Sequence, residues 1–211
     1  MKNAPIINKI EVIVYETSLE NLGKDYNTFN LVYKPNSTMV SRNNILRIHT
    51  NQGLIGEYDG ISENSLTDVK VVAQYLIGKN ALSREIIYND MKRGLRHTAM
   101  LGVGAVDICL WDIAGKLYDE PIYRLLGGEK KPLPCYASTL HGDENGGLST
   151  PNDYLDFAIQ CREIGYPAFK IHGWGNARDN LQREIENVLL LGSDLNGTMD
   201  LMIDPACEIK N

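Results

Sequence analysis

Apolar and polar residues alternate along "IEVIVYET" (10–17), and β-branched residues fill the apolar positions, a pattern that predicts a strand. "NNILRIHTNQGLIGEYDG" (43–60) predicts two more strands around the turn Asn51-Gln52-Gly53, with "FNLVYKPNSTMV" (29–40) supplying a strand and loop before them. Together these segments predict an antiparallel meander. From Leu66 the period lengthens: Leu66, Val69, Val72, Tyr75 and Leu76 share one helical face, closed by "GKN" (78–80). "SREIIYNDMKRG" (83–94) predicts a second helix with Ser83 as its cap. "TAMLGVGAVDICLWDIAGKLYD" (98–119) is apolar around much of its circumference, which predicts a helix packed on several sides.

Gly127-Gly128, three charged residues and two prolines then interrupt the pattern, so a domain boundary is expected near residue 130, with domains at 1–130 and 131–211. Beyond it, "LPCYAST" (133–139) reads as a strand. "TPNDYLDFAIQCREIG" (150–165) reads as a helix with Thr150 as cap, Pro151 at its first position and Gly165 just past its end. "AFKIHG" (168–173) is the next strand, "NARDNLQREIENVLLLG" (176–192) the next helix, and "DLMIDP" (200–205) a third strand. Strand, helix, strand, helix, strand is the pattern of βαβ units on a parallel sheet.

In such folds functional side chains sit at the carboxyl ends of strands. Lys170 and His172, two apart on a strand and therefore on one face, end the second; Asp204 ends the third. A lysine in a partly desolvated mouth loses some preference for charge and moves toward use as a base, and His172 could add to that push or act as the base itself. Asp204 precedes Pro205, which keeps it extended, and a hard carboxylate there suits Mg²⁺. Taken alone, these residues fit better an ordinary wet strand face and a turn-forming Asp-Pro.

Composition narrows the classes. With Lys+Arg 21 against Asp+Glu 27 and a net charge of −6, no basic run follows a phosphate backbone, and nucleic acid is not an expected partner. No stretch has the length of a membrane span and no leader pattern opens the chain, so a cytoplasmic protein without a membrane partner is expected. Cys109, Cys135, Cys161 and Cys207 lie far apart and are expected to be reduced thiols, three or more of them packing. "GVGAVD" (102–107) lies inside a helical pattern, against phosphate binding. Asp107 and Asp112 are expected to make internal hydrogen bonds, and His49, His97 and His141 have no partner at metal-ligand spacing.

"GAVDICLWDIAGKLYDEPIYRLLGG" (104–128) resembles the helix and linker of the mandelate racemase/muconate lactonizing branch of the enolase superfamily, and "LRIHTNQGLIGEYDG" (46–60) its capping-domain strand-turn-strand. "FKIHGWG" resembles that family's second barrel strand with its KxK-type motif, and "LMIDPACE" its third strand with a metal-binding aspartate. The resemblance implies an α+β capping domain followed by a TIM-type barrel, a Mg²⁺ cofactor and a small carboxylate substrate such as a sugar acid. The implied reaction begins by removing the proton next to the carboxylate, with a Lys or His base and Mg²⁺ offsetting the charge of the enediolate. By the same resemblance Lys170 would contact the substrate carboxylate, His172 would hold the position of the base, and Asp204 would be the first metal ligand. Two departures qualify this. His172 stands where lysine is common, leaving the base open between it and a group on the opposite face, and Ala206 stands where many relatives carry asparagine.

About 80 residues follow the boundary, against roughly 250 for a barrel, so an incomplete α/β barrel of about three of eight βα units is expected. The expected activity is an acid-sugar dehydratase or racemase/epimerase in a full-length form, with this chain alone inactive. The alternative is a truncated or split non-catalytic fragment needing a complementing chain. A Schiff-base lysine enzyme would use Lys170 but leave Asp204 unexplained. Residues Thr17–Val40 are expected to form a loop closing over substrate; homo-oligomerisation stays open.

Overall fold

The computed structural model describes residues 4–22, 36–139, 147–174 and 180–205. They divide into two compact units, one drawn from Met1–Thr17 and Val40–Lys131, the other from Ser18–Met39 and Pro132–Asn211.

One sheet has the order β1-β2-β3, formed by β1 (Ile7–Leu22), β2 (Ser37–Thr50) and β3 (Ile55–Asp59), and the first unit is built on its Ile7–Thr17, Val40–Thr50 and Ile55–Asp59 portions. β2 and β3 pair antiparallel, with Ile48 opposite Gly56. The turn falls at Asn51-Gln52-Gly53, with Gly53 at φ +77° and Thr50 N–H donating to the Leu54 carbonyl at 3.0 Å. Alternation along β2 buries Leu46, Ile48 and Thr50 on one face, as the period-two pattern requires. The expected loop at Thr17–Val40 is narrower than the sequence indicates, because both strands extend into it: Thr17–Leu22 belong to β1 and Ser37–Val40 to β2. Residues 23–35 lie outside the described residues.

Four helices follow: α1 (Glu63–Leu76), α2 (Arg84–Gly94), α3 (Leu101–Tyr118) and the short α4 (Ile122–Leu125). α1 starts a turn before its apolar period, because Ser62 accepts from Ser65 N–H and caps a polar first turn. Ser83 makes no side-chain cap on α2; its ψ of 46° is not extended, and Asn80 instead receives the Leu82 N–H at 3.0 Å.

Two glycines set how closely α3 is packed. A Cβ on Gly56 would strike the Cys109 carbonyl, and one on Gly102 would come within 2.6 Å of Asp68 Cβ and 2.8 Å of the Ser65 carbonyl. The buried Asp68 of α1 accepts the Gly102 N–H at 3.1 Å and so caps α3 from a neighbouring helix. "GVGAVD" is therefore a packing motif whose first N–H is already taken. Ile48, Val106, Leu110 and Ile113 close a core in which each buried aliphatic side chain contributes roughly 1.5–3 kcal/mol.

The second unit carries a parallel sheet of order β4-β5-β6, from β4 (Ala137–Ser138), β5 (Ala168–Ile171) and β6 (Asp200–Ile203). β4 is much shorter than the strand expected over 133–139, since Pro132 and Pro134 cannot donate to a ladder. Helix α5 (Pro151–Ile164) has a capping box between Thr150 and Asp153 and ends at Gly165 with φ +107°. Helix α6 (Leu181–Asp194) is capped by Asn180, which accepts from Arg183 N–H; the expected start at residue 176 lies outside the described residues. Phe169, Ile171, Tyr154, Ala158, Leu191 and Leu195 form one core between this sheet and its two helices.

Of the cysteines, Cys109 and Cys161 pack in cores while Cys135 is exposed, so the expectation of three or more packed thiols turns on the fourth. Burial pushes the Cys109 thiol up to about 12. Cys207 and His141 lie outside the described residues. No helix among the described residues is long and apolar enough to cross a membrane.

The α3 glycines give opposite predictions. Gly102→Ala should cost about 1–3 kcal/mol through overpacking, whereas Gly104→Ala, with open space around its Cβ, should stabilise by about 0.4–1 kcal/mol. Urea unfolding midpoints of the two variants check both signs.

Candidate functional site

The site begins with the alternation of β5. Phe169 and Ile171 are buried toward α5 and α6, so Lys170 projects from the opposite face, and His172 follows it at the strand's end. The parallel register sets Lys170 opposite Met202 and Ile171 opposite Ile203, which brings Asp204 beside His172. One further ladder bond, Asp204 N–H to the Ile171 carbonyl at 2.9 Å, holds the aspartate at that level.

All three residues read from the sequence converge. Asp204 Oδ2 lies 3.4 Å from Lys170 Nζ and 3.2 Å from His172 Nε2. Lys170 and His172 are only 17% and 15% exposed at their side chains, while Asp204 is 42% exposed, so the two nitrogen-bearing side chains are the sheltered partners. Burial works against charge on Lys170, yet the Tyr136 hydroxyl and the Asp204 carboxylate accept from its ammonium and prevail, raising its pKa. The expectation of a lysine pushed toward the neutral form is therefore corrected, because the groups beside it favour the charged form. The ammonium also lies 5.1 Å from the Tyr136 ring centre.

His172 has a defined orientation. Its Nδ1 lies 2.6 Å from the Thr139 carbonyl, and a carbonyl oxygen only accepts, so Nδ1 carries the hydrogen. In the neutral ring the lone pair is then on Nε2, and the 3.2 Å contact of that atom with the Asp204 carboxylate becomes a hydrogen bond once Nε2 takes a proton. The buried Thr139 contributes more: its hydroxyl accepts the His172 N–H at 3.3 Å, and its own N–H donates to the Lys170 carbonyl at 3.0 Å. Thr139 and Tyr136 were not read from the sequence. Thr139 follows a strand at its carboxyl end, the one signal that could have marked it.

The remaining candidates lie elsewhere. Asp112 accepts the Glu57 N–H at 2.9 Å and the Lys116 ammonium at 2.6 Å, a structural use in the first unit. Asp107 is raised by burial, opposed by Arg84. His49 pairs with Glu11 at 3.1 Å across the sheet, and His97 is exposed.

Mg²⁺ takes six oxygens in near-octahedral geometry, commonly one or two carboxylates with waters and substrate. Asp204 supplies one such oxygen donor, but among the described residues no three His, Cys, Asp or Glu side chains come together for a metal, and Lys170 Nζ and His172 Nε2 address the same Asp204 oxygen. The described residues do not by themselves make a Mg²⁺ site.

The mandelate racemase / muconate lactonizing enzyme N-terminal domain family matches residues 35–127. Among solved structures, a D-glucarate dehydratase from Agrobacterium tumefaciens complexed with magnesium is 26% identical, with a TM-score of 0.78 over 96% of this chain and 54% of its own. A 3,6-anhydro-D-galactonate cycloisomerase from Zobellia galactanivorans is 23% identical, with a TM-score of 0.69 over 97% of this chain and 52% of its own. A dipeptide epimerase from Enterococcus faecalis, complexed with Mg and the dipeptide L-Leu-L-Tyr, is 20% identical, with a TM-score of 0.68 over 94% and 53%. This chain thus spans about half the length of these structures.

The orientation of His172 predicts that nitrogen-15 NMR of the neutral ring shows the Nδ1–H tautomer; an Nε2–H pattern would contradict the hydrogen bond to Thr139. Residues 35–127 thus match the mandelate racemase / muconate lactonizing enzyme N-terminal domain family, and the chain as a whole, an α+β unit followed by parallel strands, is similar in fold to about half of the D-glucarate dehydratase.

Proposed function

We propose that the rim formed by the ends of β5 and β6 is one side of a site that removes the proton next to a substrate carboxylate. The observation that carries this is the convergence of Lys170, His172 and Asp204 on one oxygen-centred cluster at strand carboxyl ends. Lys170, held charged by Tyr136 and Asp204, suits an electrostatic role toward the substrate carboxylate. That same stabilised ammonium disfavours a Schiff-base lysine, which must attack as the free amine. His172, with Nδ1–H tied to a carbonyl and Nε2 beside the Asp204 carboxylate that would stabilise the protonated ring, suits the general base. Asp204 is proposed as one oxygen ligand of Mg²⁺, with the others supplied from outside the described residues; the ion, when bound, would supply positive charge where the enediolate forms.

The substrate proposed is a sugar acid, and the reaction dehydration or racemisation/epimerisation. Two of the similar structures carry names of enzymes acting on sugar acids, glucarate and anhydrogalactonate, and the third is an epimerase. The activity is proposed for a protein that contains the complete barrel.

In that protein, exchange of the substrate α-proton with deuterated solvent should fall by about 10²–10⁴-fold in His172→Asn, and Lys170→Ala and Asp204→Ala should abolish detectable exchange. Undiminished exchange in any of the three overturns the role given to that residue; undiminished exchange in all three overturns the reading.

A further inference from the structure

Strand pairing ends at Ile171, but the backbone after His172 is not left to solvent. Gly173 turns the chain with φ +70°, and the next amide, Trp174 N–H, donates at 2.8 Å to the carboxylate of Glu184 on α6. The positive φ favours glycine, and a Cβ on Gly173 would displace that same carboxylate from the turn. Tyr154, fully buried on α5, donates its hydroxyl to the Gly173 carbonyl at 3.1 Å. The buried Trp174 indole donates to the Leu148 carbonyl at 2.7 Å, stands edge-on to Tyr154, and lies under the Arg183 guanidinium at 4.0 Å.

We propose that Glu184 is a positioning residue: by holding the Trp174 amide it fixes the turn that begins one residue after His172, and so sets where the His172 ring stands against Asp204. The inference rests on reading this rim as the proton-abstraction site. Among the described residues, the contact that meets the backbone amide of this turn, otherwise a buried donor at the end of β5, is the Glu184 carboxylate.

Glu184 has features unlike those of a residue kept for stability. Burial raises its pKa, against the lowering effects of the Trp174 amide and Arg183. A carboxyl raised in the folded state contributes stability that is present below its unfolded pKa and lost as pH rises through the folded one, so at neutral pH its charge costs stability. A glutamine keeps the acceptor without the charge. Glu184→Gln should therefore leave the thermal midpoint at pH 7 unchanged or higher.

The test uses the 211-residue chain and two readouts. Glu184→Ala should speed hydrogen exchange at the Trp174 amide about tenfold or more and shift the His172 ring nitrogens; Glu184→Gln should restore both. Should the alanine variant fail to fold, Glu184→Asp, which withdraws the carboxylate by one methylene, should give the same two changes. An unchanged Trp174 amide, or a faster amide with unmoved His172 nitrogens, overturns the proposal. In the protein with the complete barrel, Glu184→Ala should lower kcat for α-proton exchange while KM stays within about twofold, because Lys170 precedes the turn, and Glu184→Gln should recover kcat. If the ring nitrogens shift but the wild-type enzyme exchanges no α-proton, the reaction is overturned and the placement of His172 by Glu184 is supported. If the wild-type enzyme exchanges and the nitrogens do not move, the positioning role is overturned and the reaction stands.

Discussion

The parallel register of β5 on β6 is the constraint on which the candidate site depends. With Ile171 opposite Ile203, Asp204 arrives beside His172, and Lys170 and His172 share the face that the helices leave uncovered. A slip of one residue would send Lys170 toward Tyr154 and Leu191 and turn Phe169 outward. Such a slip would bury an ammonium in an apolar core and lose a fully buried aromatic ring, so the hydrophobic core enforces the placement of the polar rim.

Backbone satisfaction at the strand ends supports the same geometry. Thr139 bridges β4 to both Lys170 and His172, Asp204 extends the ladder by one bond, and Glu184 receives the amide beyond. The end of β5 is thereby held from two neighbouring strands and one helix. A histidine whose Nδ1–H is committed to a carbonyl and whose peptide is tethered on both sides has little freedom to re-aim, which is the condition for a preorganised proton acceptor.

The first unit solves a different problem. α3 is apolar around most of its circumference, and it meets β3 and α1 at close range because Gly56 and Gly102 carry no side chain. The buried Asp68 then satisfies an amide of the α3 first turn that no local residue caps, Met100 having no capping side chain. A glycine-containing segment that resembles part of a phosphate-binding fingerprint is thus explained by helix packing, consistent with its place within a helix.

The sequence by itself determined the order and type of nearly every described element, because hydrophobic period, turn glycines and caps such as Thr150-Pro151 with Gly165 act over a few residues. It also determined the three polar candidates at the strand ends, since the βαβ pattern alone predicts which end faces a site. What it could not supply were relations between distant residues. Tyr136, Thr139 and Glu184 belong to segments separated from Lys170 and His172 by intervening elements, and their roles arise only when parallel pairing and helix docking bring them together. The direction of the Lys170 shift reversed for the same reason: desolvation can be guessed from a strand end, but the Tyr136 oxygen and Asp204 carboxylate that outweigh it exist beside the ammonium only in the folded sheet.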